Sequence, residues 1–450
     1  MARPASRTKA HHCPQTFLDS LRHFLTPNLW KQARQALPAR HRDQRWQLQP
    51  LLFTLLLFTF CSGSSLEERF ETARAFHVVC HSKRRRPGRS VQGFHKALAH
   101  LPLGCLRVLA AGVRQLLPTQ FARDWTVNGF VPFGCDGSRL QCPRSRELEA
   151  RLGQAAKQDS PPMLWVTALV HLRTGLLWTW RLGKGIASEG AHLKALLITL
   201  PANALLVADA GYLSYDLYSC ILKANQSFLI RMSSRAYLYT PQRQSLKRFH
   251  EGPVWYWPGE QQKKEQPPLP LRLIRIRGQK ADVWLLTNVL DRKKLGRKRA
   301  EQLYHWRWRN EGLFRTYKQT LGKVKLAHRT VRLVHREAEA SLLAVQLLLA
   351  HGAWALQQRD GSVKALPSAR RGIQQIRREI ADGLARLGPR QRQWYFERWE
   401  DMVWRAGKKR GNKTRRPWPR RKPHKPPKPP KLRTLSKAQK VLGDRLLNAA

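Results

Sequence analysis

Three carboxylates in this chain have surroundings suited to phosphoryl-transfer chemistry, and one of them carries most of the argument. It lies in Tyr304-His305-Trp306-Arg307-Trp308-Arg309-Asn310-Glu311-Gly312-Leu313-Phe314-Arg315-Thr316-Tyr317-Lys318. The stretch has no Pro and one Gly, and its composition predicts a helix. Tyr304, Arg307, Glu311 and Lys318 follow one another at three, four and seven residues. At 3.6 residues per turn all four share a face, with one acid flanked by cations. A solvated face of helix ion pairs gives the same pattern. The aromatic residues Trp306, Trp308, Phe314 and Tyr317 point instead to a packed helix. A carboxylate beside Arg and Lys on a packed helix suits a metal-bound phosphodiester, the acid on the metal and the cations on phosphate oxygens.

Partner acids are informative because Asp and Glu number only 29 in 450 residues. Asp136 ends the apolar run Phe130-Val131-Pro132-Phe133-Gly134-Cys135 and precedes Gly137-Ser138, whereas Asp209 ends Ala204-Leu205-Leu206-Val207-Ala208 and precedes Ala210-Gly211-Tyr212. Each reads as a short buried strand that delivers an Asp and breaks at Gly, with the carboxylate at the rim of a sheet. Asp before Gly is also ordinary turn chemistry. With Glu311 they make three acids on three elements, the requirement of a two-metal phosphoryl-transfer site.

On these residues the chain resembles DDE transposases of the insertion-sequence-four family. The spacing Tyr-x2-Arg-x3-Glu-x6-Lys at Tyr304, Arg307, Glu311 and Lys318 is similar to that family's YREK signature, and Asp136 and Asp209 stand where its first two catalytic acids are expected. The similarity covers roughly residues 125 to 350. It departs after the second strand, where many relatives have Asp-Arg-Gly and this chain has Ala210. The resemblance implies a ribonuclease-H-like catalytic core in which Asp136, Asp209 and Glu311 hold two Mg2+ ions, Mn2+ being able to substitute. It implies DNA contacts from Tyr304, Arg307 and Lys318, and from Trp284, which stands where relatives stack a Trp on a flipped base. A Trp on a sheet face explains Trp284 equally well. The implied reaction is cut-and-paste transposition: nicking at element ends, opening of the second strand through a hairpin, and joining to target DNA. The implied partners are double-stranded DNA, both terminal inverted repeats and target, bridged by a homodimer. A transposase-derived DNA-binding protein without catalysis is the alternative, and a ribonuclease-H-like nuclease that joins no strands is a third.

Composition agrees with a polyanionic partner. The formal charge is +54, far beyond what solubility requires, and nucleic acid is the expected partner. The seven cysteines are scattered without a Cys-x-x-Cys pair, which points to a reducing cytoplasm and away from a zinc finger or disulfide framework. His11-His12-Cys13 reads as a terminus rather than a metal tract. No secretory signal is visible, and Leu51 to Cys61 is too short to span a bilayer, so no membrane is expected.

The elements that must position these residues follow in order. Residues 1–125 read as a helical, DNA-end-binding domain, with apolar residues at helical spacing near 15–37, 51–61, 65–81, 91–100 and 106–117. Lys83-Arg84-Arg85-Arg86-Pro87-Gly88-Arg89 is a basic loop suited to phosphate. Residues 126–350 read as the catalytic domain of an α/β fold. After the Asp136 strand come a polar stretch, strands at 163–172 and 175–182, a helix at 188–200, the Asp209 strand and a helix at 215–225. That is the order of a ribonuclease-H-like sheet, whose first and fourth strands bring their ends together. Residues 228–290 read as an all-β insertion around the polar loop Gln261 to Glu265. Ala338 to Gln357 reads as an apolar core helix, and 351–407 as a helical C-terminal segment. The tail, 408–450, reads as a disordered basic arm: Lys408 to Arg433 holds 13 Lys or Arg and no acid. Removing those 13 charges from +54 leaves +41, so the rest of the chain is strongly basic by itself.

Overall fold

The computed structural model describes residues 16–449 except 39–45, 64, 82–85, 154–159, 241–244, 247, 279–280, 364–365 and 386–427. His11-His12-Cys13 and the first part of the basic loop, Lys83 to Arg85, lie outside the described residues.

The first third is helical: α1 (Phe17–Phe24), α2 (Pro27–Gln35), α3 (Leu48–Phe60), α4 (Leu66–Cys80), α5 (Val91–His100) and α6 (Leu103–Gln120). The expected single segment at 15–37 is two helices, because Pro27 at a first helical turn cannot continue α1, and Thr26 caps the new start through the Leu29 amide. Ser65 caps α4 through Glu68 in the same way.

Five strands then make the centre. They are β1 (Val131–Gln141), β2 (Met163–His171), β3 (Leu176–Lys184), β4 (Ala204–Ala208) and β5 (Ser227–Arg231). Helix α7 (Arg146–Leu152) fills the polar stretch after β1, α8 (Glu189–Leu196) joins β3 to β4, and α9 (Tyr215–Lys223) joins β4 to β5. β2 runs antiparallel to β1 and β3, while β4 runs parallel to β1 and β5. This is the ribonuclease-H-like arrangement. β4 shows why it is buried on both faces: Ala204, Leu206 and Ala208 join the large core, whereas Leu205 and Val207 join a second, smaller one.

The insertion does not form a separate layer. Strands β6 (Tyr237–Thr240), β7 (Glu251–Tyr256), β8 (Leu269–Ile276) and β9 (Val283–Thr287) continue the sheet, because β9 pairs antiparallel with β5. It is also not wholly β, since the polar loop contains a helical turn, α10 (Gly259–Lys263).

Helices α11 (Arg297–Trp306) and α12 (Trp308–Arg315) follow, then α13 (Val331–Asp360) and α14 (Ala369–Ala385). α13 is long and apolar enough to cross a membrane, but it is largely buried against protein, packing on α6, α3, α1 and β3. Its apolar residues share one core with α1–α6 and the sheet.

The end of the chain departs from the expected disordered arm. Lys431–Thr434 forms β10, parallel to β6 at the edge of a ten-stranded sheet, and Lys437–Asn448 forms α15 behind a Ser436 cap. Gly443 permits this docking, because a methyl group there would lie 2.4 Å from the Trp255 ring. An exposed edge strand gains hydrogen-bond partners by accepting one more, which overrides the basic composition of the segment. The Lys- and Pro-rich stretch up to residue 427 lies outside the described residues.

Candidate active site

Strand register brings the first two acids together. Gly134 pairs with Val207 across the parallel β1–β4 ladder, so two residues further on Asp136 comes alongside Asp209. Asp136 does not end its strand, as the Gly after it suggested; β1 runs on to Gln141 because β2 continues beside it. What ends at this level is β4. The carboxylate of Asp136 is therefore at an inner step of the sheet rather than at its outer rim. By the same counting Ala208 pairs with Ile230, which puts Arg231 next to Asp209. The Arg231 guanidinium is 4.0 Å from the Asp209 carboxylate. This cation, missed in the sequence, reaches the acid that Ala210 leaves without the neighbouring Arg of the resembling family.

The third acid arrives on a broken helix. α11 ends at Trp306, Arg307 forms the elbow, α12 carries Glu311, and Thr316–Thr320 is a π-helical turn. The expected continuous helix is therefore interrupted. Lys318 lies in the π turn, outside the regular spacing that set it on one face with Glu311. Close approach of α12 to β1 depends on Gly134, where a methyl group would meet Asn310 at 2.8 Å and Leu172 at 2.6 Å. On the far side, Arg309 donates to the carbonyls of Leu172 and Arg173 and lies over the Trp306 ring.

Arg307 is the hub. It is 4% exposed, and its Nη2 lies 3.9 Å from Asp209 and 3.7 Å from Glu311, carboxylates that stay open to solvent. Those separations exceed hydrogen-bond length, and Arg307 Nε has no hydrogen-bond partner. Burial works against the guanidinium charge, but Tyr304, Asp209, Asp136 and Glu311 outweigh it and raise its affinity for the proton. The Tyr304 hydroxyl donates to Asp209 at 3.4 Å, and burial, reinforced by Asp209, pushes its pKa up.

Asp136 is the strained acid. Burial pushes its carboxyl up to about 6; the Gly137 amide and Arg307 pull the other way, and Glu189 and Glu311 add to the rise. Glu189, in the first turn of α8, was also missed in the sequence. An acid there reads as a partner of the helix dipole, and the only signal for more was a Gly within two residues of each aspartate.

The set fits divalent cations by its chemistry: hard carboxylate oxygens on three elements, one of them, Asp136, pushed up chiefly by burial. Among the described residues no group of three His, Cys, Asp or Glu is already closed to metal-ligand spacing. Trp284 is not part of the centre. It is 4% exposed in β9, packed on Phe249 with Arg275 over its ring, the surroundings of the sheet-face alternative to stacking on a flipped base.

The fold is ribonuclease-H-like, with Asp136 in β1, Asp209 just past the end of β4 and Glu311 in α12. Residues 135–347 match the family described as the transposase DDE domain, a span that includes Asp136, Asp209 and Glu311. No curated protein matches the chain. Among solved structures it is similar to the piggyBac transposase synaptic complex with hairpin DNA, determined by cryo-electron microscopy. That match has 11% identity and a TM-score of 0.46, covering 85% of this chain and 86% of the other.

Proposed function

We propose that the protein is a transposase of the insertion-sequence-four kind that cleaves double-stranded DNA at the ends of a mobile element and joins the freed ends to target DNA. The observation that carries this reading is the register that sets Asp136 beside Asp209, with Arg307 Nη2 3.9 Å from Asp209 and 3.7 Å from Glu311, within the span that matches the transposase DDE domain. Asp136, Asp209 and Glu311 are the residues that would hold two divalent cations, Mg2+ or Mn2+. Bound there, such cations supply Lewis-acid activation of the attacking oxygen and charge stabilisation at the leaving 3′ oxygen.

The chain's own groups divide the remaining work. Arg307, buried and firmly protonated, offers a fixed positive charge between Asp209 and Glu311 at no cost in reorganisation. Tyr304 orients Asp209 through its hydroxyl, and Arg231 adds a second cation beside the same acid. Lys318 and the basic surface give phosphate contacts. Two copies bridging two ends, in a reducing cytoplasm, complete the proposal; the described cysteines are all free thiols.

The test is cleavage of duplex DNA carrying the element's flanking ends, with and without Mg2+, followed by joining to a plasmid. Cation-dependent cleavage and joining, both lost in Glu311→Gln, are the expected result. Tight DNA binding with no cleavage by the wild type would replace this reading with the DNA-binding protein lacking catalysis.

A further inference from the structure

We propose that the basic cleft at the start of α11 binds the phosphate backbone of a duplex of no fixed sequence, the target DNA to which freed ends are joined. The proposal rests on the transposase reading above.

The cleft is open, with a volume of about 880 Å3, and its lining includes Arg292, Lys293, Arg297, Lys298 and Arg299. Among the described residues no acid lines it. Arg292 is answered by Glu251 at 3.3 Å. Lys293, Arg297, Lys298 and Arg299 have no ion pair within 4 Å among the described residues.

A chain of formal charge +54 is basic over much of its surface, so an excess of cations alone marks no particular place. Two features mark this one. Arg297, Lys298 and Arg299 fill the first turn of α11, where no acid stands. The helix dipole disfavours cations at that end, so they do not serve the stability of α11. An anion drawn into the cleft offsets their mutual repulsion.

The second feature is that the walls are fixed by the fold itself. Leu295 is fully buried, and its carbonyl accepts from Arg272 at 2.5 Å. Arg272 is 3% exposed and donates to Glu251 at 3.2 Å. The Lys293 amide donates to the Asp291 carboxylate at 2.7 Å. The other segment that reaches the cleft holds Asn128, at φ 51° in a turn closed by hydrogen bonds of 2.8 and 3.1 Å between Val127 and Phe130. Asn203 fixes that turn further by donating to the Gly129 carbonyl at 3.0 Å. A surface held in this way loses little freedom when a ligand arrives.

Place and chemistry decide which duplex it is. The cleft stands at one end of α11, and Tyr304 near the other end donates to Asp209. The ten residues of α11 span about 15 Å. At about 3.4 Å per base pair that is roughly four to five base pairs, so a duplex with one phosphodiester at the acids reaches the cleft with its flank. Guanidinium and ammonium groups grip phosphates without reading bases. An element end is defined by its sequence and a target is not, so the target is the occupant that fits.

The experiment uses the full chain and a random-sequence duplex as the probe. Wild type is compared with Arg297→Gln/Lys298→Gln, which removes two charges, and with Arg297→Lys/Lys298→Arg, which keeps them. Affinity is followed by fluorescence anisotropy over a salt series, alongside thermal unfolding, single-turnover cleavage of element ends and joining to a plasmid. In the Gln pair the slope of log affinity against log salt should fall by about 2. Joining should fall with it, while end cleavage and melting temperature stay at the wild-type values and the charge-keeping pair behaves as wild type. An unchanged slope in the Gln pair overturns the proposal, whether or not the melting temperature drops. End cleavage lost together with joining would place the element end in the cleft and overturn the target as its occupant. A wild type that cleaves and joins nothing, with the slope still falling in the Gln pair, overturns the transposase reading and the target with it, and leaves the duplex-binding surface standing.

Discussion

Around Glu337 in α13 and around Asp136 in β1 the protein takes a carboxylate out of water in two opposite ways. Glu337 is 3% exposed and fully answered: Lys323 Nζ donates at 2.7 Å, His328 Nδ1 lies at 2.8 Å, and the amides of Ala327 and His328 donate at 2.9 and 3.2 Å. Burial opposes its charge, but Lys323 and His328 outweigh it and hold the carboxyl well below the usual range. Asp136 is also removed from water, and burial, which the Gly137 amide and Arg307 only partly offset, pushes its carboxyl up. The Glu337 cluster pins the segment after the π turn to the core helix and asks for nothing more. Asp136 has no comparable close partner: Arg307 lies nearer Asp209 and Glu311, and the burial of Asp136 goes largely uncompensated.

The largest effect expected from this contrast is on chemistry. Glu311→Gln or Asp209→Asn, each removing one exposed charge beside Arg307, should lower single-turnover DNA cleavage by about 10^3-fold or more, roughly 4 kcal/mol. The melting temperature should hardly move. A variant that cleaves within about tenfold of wild type would take that acid out of the centre.

The Glu337 cluster should respond the other way. Lys323→Met leaves a buried carboxylate without its main cation and should cost about 3–5 kcal/mol of stability, read by urea unfolding. The depressed carboxyl of Glu337 contributes stability that is present above the ordinary glutamate range and lost as pH falls below it. Lys323→Met should therefore differ most from wild type near neutral pH and converge with it in acid. Equal stabilities at pH 7 would mean that the cluster is not the clamp described.

Asp136 gives a smaller effect with the opposite sign. Its carboxyl is raised to about 6, so its contribution to stability is fully present below the ordinary aspartate value and lost as pH rises through about 6. Without divalent cation, Asp136→Asn should melt about 1–3 °C above wild type at pH 7.5 and level with it at pH 4. Added Mn2+ should stabilise the wild type and not the variant. An Asn variant less stable than wild type at pH 7.5 would show that the Asp136 charge is compensated.

Much of this was legible in the sequence because it depends on local pattern. The alternation of strands and helices from Phe130 to Asn225 specified the sheet, and the runs ending at Asp136 and Asp209 marked two strands whose register sets those acids side by side. The Tyr304-to-Lys318 spacing picked out Glu311, which stands 3.7 Å from Arg307. What was not legible depends on contacts between distant segments. Arg231 reaches Asp209 through the β4–β5 register, and Glu189 of α8 comes up against Gly137 and Gly211. The break at Arg307 lies where α12 packs on β1 at Gly134, and the π turn lies where Tyr317 meets Ser341 of α13, contacts on which regular spacing carries no information. The docking of Lys431–Thr434 on the sheet edge was hidden by a basic, Pro-rich composition that favours disorder.

The smallest predicted effect separates aromatic residues of the scaffold from those of the exposed surface. A Trp that stacks on a base must present a ring face. Trp284 is 4% exposed and covered by Arg275, whereas Trp308 is 55% exposed beside the elbow, with Arg307 5.2 Å from its ring centre. Trp284→Phe should therefore leave DNA affinity within about twofold while costing under ~1.5 kcal/mol in stability, as a near-conservative core change does. Removing an exposed aromatic ring that does stack costs about 1–3 kcal/mol of binding per base, measured by fluorescence anisotropy with single-stranded ends. A loss of that size in Trp284→Phe at an unchanged melting temperature would mean that β9 opens when DNA binds. The line drawn here between closed scaffold and open centre would then have to include the edge of the insertion.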